Sequence, residues 1–275
     1  MPSTLEHCAR SALACALVDP KLDAIGTIAY GLAAGEITIE PDFPVEVAAV
    51  PGRPERPPLV HPRELTRRSA AAGEGHTALI HAMAHIEFNA INLALDAVCR
   101  FPRLPIEYYR DWFSVAVEEA LHFRMLRDHL RSFDRDYGDF PAHDGLWQMA
   151  VKTAHDPLAR MALVPRVLEA RGLDASPGII RRLRENGDRH GAEIVEVILA
   201  DEVGHVAIGT RWFNHLCNER ALDPETTFVR LLHEFDAPRP VLPLNDNARK
   251  QANFTPRELA HMHTLAQSRS PHLRK

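Results

Sequence analysis

Cysteine is scarce in this chain. Cys8, Cys15, Cys99 and Cys217 are the only four in 275 residues, they are widely spaced, and none forms a C-x-x-C pair. They read as isolated buried thiols rather than a disulfide framework or zinc ligands. Long apolar runs are missing too: no stretch approaches a membrane span, and the N-terminus lacks the basic-then-apolar layout of a secretion signal, so a cytoplasmic location is expected. An excess of positive charge is also absent. The net charge of -5 argues against wrapping nucleic acid, although Arg181, Arg182, Arg184 and Arg189 form a local basic run that a solvated helix end would also explain. Histidine, by contrast, is plentiful at 16 residues, and at 45% hydrophobic the chain can bury one large core with or without a small appendage.

The histidines matter through two matched stretches, Glu118-Glu119-Ala120-Leu121-His122 and Asp201-Glu202-Val203-Gly204-His205. Each places Glu and His at i and i+3, neighbours on one helix face and a ready bidentate metal site. A lone glutamate precedes each copy by nearly the same distance, Glu87 before Glu119 and Glu169 before Glu202. If each set lies on an antiparallel hairpin, its carboxylates are level when the turn falls midway between them. For the first set the midpoint is residue 103, inside the helix-breaking Phe101-Pro102-Arg103-Leu104-Pro105; for the second it falls beside Asn186-Gly187-Asp188. A third match, Glu258 to His261 with Glu225 upstream, is set aside, because Pro238, Pro240 and Pro243 interrupt the intervening chain and Glu225 sits in a helix first turn.

Around these motifs the chain reads as all-α. A capping box at Ser3 and Glu6 starts a helix to about Leu17, and Asp19-Pro20 starts another to about Leu32. From Pro41 to Pro62 lie seven of the 21 prolines, an extended strap expected to run over the bundle. Bundle helices are expected from Gly75 (with Ile80, Met83, Glu87, Ile91 and Ala94 on one stripe), from Ile106 to Phe133, and from Arg189 to Asn218. The remaining one carries Met161 to Glu169, kinked at Pro165 and interrupted at Gly172, Pro177 and Gly178 before resuming over Ile179 to Arg184. A crossover from Asp134 to Asp156 carries a short helix over Leu146 to Thr153. Beyond the bundle come a helix from Asp223-Pro224 to His233, a loop over Pro238 to Asn247 and a last helix after Thr255. The expected division is residues 1–63 for the N-terminal helices and strap, 64–222 for the bundle and 223–275 for a C-terminal helical extension.

Four further residues stand near the expected ligands. Glu118 and Asp201 each precede a motif histidine by four residues and could hold its other ring nitrogen. His85, and less so His81, lies near Glu87 but about 100° or more off its stripe, where it could stand behind a ligand, and Glu196 lies within two turns of Glu202, where it could bridge or replace a ligand.

The order Glu87, Glu119-x-x-His122, Glu169, Glu202-x-x-His205 resembles the ferritin-like superfamily, in which one Glu from each of two helices joins Glu-x-x-His from the other two. The acidic residue before each motif is similar to the di-iron oxygenase branch. The wording of Ala84-His85-Ile86-Glu87, Ala94-Leu95-Asp96-Ala97 and Pro51-Gly52-Arg53-Pro54 resembles a bacterial ferritin-like family mostly of undefined function. This resemblance implies a ferritin-like four-helix bundle with a long crossover and a centre of two iron ions, or manganese or mixed Mn/Fe. Glu119 and Glu202 are the expected bridges and Glu87, Glu169, His122 and His205 the terminal ligands. The expected activity is non-haem oxidation with dioxygen or peroxide, needing an electron donor and a small-molecule substrate; a homodimer is compatible with it. Iron oxidation, peroxide removal, tRNA hydroxylation and a metal-free binding bundle are the alternatives, and no catalytic residue beyond the ligands is assigned.

Overall fold

The computed structural model describes residues 3–46, 50–65, 68–71 and 73–268. The described residues are mostly helical and divide into two compact units. Unit 1 holds residues 1–151 and 182–194, and unit 2 holds 152–181 and 195–275.

Unit 1 is built on two long helices, α3 (Glu74–Arg100) and α4 (Ile106–Arg131), which pack along each other. The turn between them is residues 101–105, centred on 103 as the proline pair predicts, with Arg103 at φ 65°. Both α1 (Leu5–Ala14) and α2 (Val18–Ala33) lie against this pair, α1 on α3 and α2 on α4. The helix boundaries differ from expectation at the start. Thr4, not Ser3, caps α1 by accepting from His7 N at 3.4 Å, because Ser3 and Thr4 pair as strand β1 with β2 (Ile37–Thr38). Glu6 is buried, and its Oε2 accepts from Glu40 N.

Helix α3 is buried on nearly every side, with Glu87 through Cys99 all enclosed, so its core face is much wider than the expected stripe. It has the length and apolarity of a membrane span, contrary to the reading that no stretch approaches one, and most of that surface is covered by the protein itself, as for a core helix. Part of the cover is the proline-rich strap, of which residues 47–49 lie outside the described set. Its backbone binds α1 through Gly52 N to Leu13 O at 2.8 Å, and a Cβ at Gly52 would collide with the Ala14 carbonyl, so only glycine permits the approach.

Lys21 fastens this corner. Its ammonium is fully buried and donates to Leu13 O (3.2 Å), Gly52 O (2.9 Å) and Asn92 Oδ1 (2.5 Å), joining α1, the strap and α3. Burial pulls its pKa from the ordinary 10.5 down to about 7. Between those values the unfolded chain binds a proton that the folded chain does not, so this group makes stability rise with pH across that window. Lys21→Met is expected to flatten that rise in unfolding measured from pH 7 to pH 10, and to lower stability at pH 7 by about 2 kcal/mol through the acceptors it strands. An unchanged slope would show that Lys21 keeps its ordinary affinity for protons.

Unit 2 contains α6 (Pro157–Leu163), a π-helical segment (Val164–Glu169), most of α7 (Ala170–Glu185), and α8 (Arg189–Glu219) from Val195 onward. It also contains α9 (Pro224–Glu234), α10 (Asp246–Gln251) and α11 (Pro256–Gln267). The short α5 (Gly145–Lys152) precedes it in the crossover, and α10 starts at the end of the expected Pro238 to Asn247 loop and continues through residues given no element from the sequence. The kink expected at Pro165 takes the form of the π segment. Pro165 has no N–H to donate, and its ring rests on Gly209, where a Cβ would overlap the ring carbons.

The break expected at Gly172, Pro177 and Gly178 is absent, and α7 runs through all three. Pro177 leaves the Leu173 carbonyl without its helical donor, and Asn245 Nδ2 supplies one at 3.1 Å. Leu173, Ser176, Ile180 and Leu183 are all buried at helical spacing, so the packed stripe holds its register across the proline.

Candidate metal centre

The first half of the motif pattern lies wholly in unit 1. The turn at residue 103 brings Glu87 of α3 and Glu119 of α4 to the same height. His122, one turn along α4, directs Nδ1 at both carboxylates, 3.3 Å from Glu119 Oε2 and 3.8 Å from Glu87 Oε2. All three side chains are buried, and one ligand atom from each falls within 4.8 Å of the others. Burial and the neighbouring Glu119 charge push the Glu87 carboxyl well above the usual carboxylate range. Burial alone would lower His122, yet the hydrogen bonds and charges of Glu119 and Glu87 outweigh it and raise the imidazole. Two carboxylates and an imidazole enclosed in an apolar core are short of positive charge. Carboxylate and imidazole donors gathered this closely could hold a metal ion.

The second half repeats the local geometry in unit 2. His205 Nδ1 lies 3.2 Å from Glu202 Oε2 on α8, and both residues are buried. The match to the first copy, down to the nitrogen used, is what two equivalent Glu-x-x-His helices should show. Glu169 is the last residue of the π segment and is half-buried, with Oε2 shut away from solvent. The second hairpin departs from the level arrangement. Its turn is residues 186–188, centred on 187, so the residue opposite Glu202 is Gly172, whose added Cβ would lie 3.7 Å from Glu202 Cγ. Glu169 stands about one turn away along the helix.

Of the four neighbouring residues, His85 is used elsewhere. Its Nδ1 meets Tyr137 Oη at 2.9 Å and its Nε2 the His143 carbonyl at 3.2 Å, with Asn89 Nδ2 at 3.0 Å, and burial lowers its pKa to about 4. It belongs to the packing of the loop after α4 and not to the Glu87 cluster. His81 does likewise, accepting from Gly138 N at 2.9 Å and stacking on Tyr137. Glu118 is exposed, while Asp201 and Glu196 are half-buried.

The third Glu-x-x-His is structural. Glu258 Oε2 accepts from Thr255 N at 2.9 Å in a capping box, and Oε1 pairs with buried Arg166 at 2.5 Å.

One constellation in unit 1 escapes the sequence reading altogether. His76, His129 and Asp188 come together although they are far apart in the chain. Both Nε2 atoms lie 2.9 Å from the same Asp188 Oδ2, and Gly191 N donates to Oδ1 at 2.8 Å. Burial would raise Asp188, but the His129 and Gly191 hydrogen bonds and the histidine charges hold it below the usual range. No short motif joins these residues; the only signal was the Asn186-Gly187-Asp188 turn.

These features define an all-α protein with buried Glu and His groups able to hold a metal ion. The chain belongs to the DUF455 family, described as a protein of unknown function, which matches residues 15–260. It is similar to an uncharacterized protein of Haemophilus influenzae (strain ATCC 51907 / DSM 11121 / KW20 / Rd), 44% identical over 243 residues that cover 85% of this chain and 84% of that one. No solved structure matches the chain.

Proposed function

We propose that this chain is a ferritin-like non-haem oxidoreductase, in which α3, α4, the α6–α7 run and α8 form a four-helix bundle. Two iron ions, or manganese or a mixed pair, would be held by Glu87, Glu119 and His122 together with Glu169, Glu202 and His205. The observation that carries this reading is the buried Glu87, Glu119 and His122 cluster, with Nδ1 facing two carboxylates, and its local repetition at Glu202 and His205. The donor set fits: four carboxylates balance two divalent ions, and carboxylate with imidazole favours the higher oxidation states of iron and manganese.

When bound, such a pair of ions supplies two-electron redox chemistry with dioxygen or peroxide. The chain's own contribution is to keep the donors dry and fixed. Ala116, Phe123 and Leu126 bury the face of α4 that carries Glu119 and His122, and Phe88 and Phe123 pack together beside Glu87. Turnover by this reading needs an electron donor and a small organic substrate. The same donors would also serve ferrous oxidation or peroxide removal, which need no organic substrate.

The test is oxygen uptake by protein loaded anaerobically with ferrous iron. Uptake is expected to fall by at least about 100-fold in Glu119→Ala and in Glu202→Ala, the loss of a direct ligand exceeding the 10–100-fold typical of residues behind one. Uptake that is equal in both variants and the native protein would discard the proposal.

A further inference from the structure

A second metal position, separate from the Glu-x-x-His motifs, stands at the head of unit 1. We infer that His76, His129 and Asp188 form a mononuclear site for a divalent transition ion of the zinc or ferrous type, open to solvent through the pocket beside them. The inference does not depend on the dinuclear reading, since none of its residues is shared.

Four observations carry it. The donor set is two imidazoles and one carboxylate, the combination that binds zinc and non-haem ferrous iron with positions left open. The spacing suits one ion: cis donors about 2.1 Å from a common ion stand about 3 Å apart, and both Nε2 atoms lie 2.9 Å from Asp188 Oδ2. The donors come from α3, α4 and the turn before α8, and their rings are held by Phe133, which meets His76 edge-on at 5.2 Å and His129 at 5.0 Å. Both rings present the same nitrogen, Nε2, to the Asp188 carboxylate, so the three donor atoms converge on one position.

Space is kept for the ion as well. Gly191 faces the cluster, and a Cβ there would overlap Asp188 Oδ2 and come within 2.9 Å of His129 Nε2. A pocket of about 590 Å³ reaches His76 and Asp188 from outside, lined also by Glu74, Thr77, Arg135 and Asn186. An ion bound at the cluster would thus have protein donors behind it and open coordination positions towards the pocket, the arrangement of a site that exchanges water or a small ligand.

The experiment is cobalt titration, followed by visible absorption and by equilibrium dialysis, of the native chain and of Asp188→Asn. The asparagine keeps a hydrogen-bonding oxygen while removing the anionic donor. The native chain is expected to bind one more cobalt ion than Asp188→Asn. A His122→Ala/His205→Ala variant is expected to keep one ion, whose affinity falls at least about tenfold when His76→Gln is added. Equal cobalt binding by the native chain and a folded Asp188→Asn, checked by circular dichroism, would overturn the inference and leave a His-Asp-His hydrogen-bond tie. Should the His122→Ala/His205→Ala variant not fold, the comparison of the native chain with Asp188→Asn decides alone.

Discussion

Glu258→Ala is expected to destabilise unit 2 by about 3–5 kcal/mol, the range for removing one partner of a buried ion pair. The reason is what it leaves behind. Arg166 is fully buried in the π segment, its guanidinium within 4.1 Å, 4.5 Å and 4.8 Å of the rings of Phe228, Phe213 and Phe254. Its Nη2 pairs with Glu258 at 2.5 Å, and Nε donates to Thr210 Oγ1 at 3.3 Å. The three rings attract the cation, but they replace neither its counter-charge nor the lost hydrogen bond. The same substitution removes the Thr255 capping box, worth about 1 kcal/mol alone. Arg166→Met combined with Glu258→Leu should cost far less than Glu258→Ala alone, because no charge remains stranded. Urea unfolding of the three proteins measures this; a cost below about 1 kcal/mol for Glu258→Ala would mean that the guanidinium finds water or another partner. Arg166 lies three residues before Glu169, so the pair also anchors the segment that carries a proposed ligand.

The second large effect concerns stability with and without metal. Native protein stripped by a chelator is expected to lose about 4 kcal/mol relative to protein with free metal at a thousand times its Kd, as binding to the folded state alone requires. Glu119→Gln should abolish most of that difference. Thermal or urea unfolding in matched buffers reads both comparisons. A Glu119→Gln protein that keeps the full metal-dependent gain would remove Glu119 from the ligands.

Much of the secondary structure was legible because its signals are local. Pro102 and Pro105 set the α3–α4 turn, Asp223-Pro224 and Thr255-Pro256 start α9 and α11, and the Glu-x-x-His spacing identifies Glu119 with His122 and Glu202 with His205 as face-sharing pairs. What escaped depends on partners distant in sequence. Pro177 looks like a breaker until Asn245 takes the Leu173 carbonyl, and the π segment depends on Gly209 admitting the Pro165 ring. His85 looks like a neighbour of Glu87 until Tyr137 and the His143 carbonyl occupy its ring nitrogens. The His76, His129 and Asp188 cluster is drawn from three elements with no common motif, so only the packing of unit 1 reveals it. The hairpin midpoint argument succeeds at residue 103, where a short turn is fixed by two prolines. The second turn, residues 186–188, is centred about one and a half residues beyond the midpoint of Glu169 and Glu202.

The account rests on two ions held by the repeated motifs, and elemental analysis of protein purified without a metal-affinity tag tests it most directly. About two iron or manganese ions per chain are expected at those motifs, with the His76, His129 and Asp188 ion counted apart by its loss in Asp188→Asn. Both motif-bound ions should be lost or reduced in Glu202→Ala and in His122→Ala. Native protein that takes up no iron or manganese after anaerobic loading with ferrous or manganous ions, or variants that hold as much as the native chain, would contradict it.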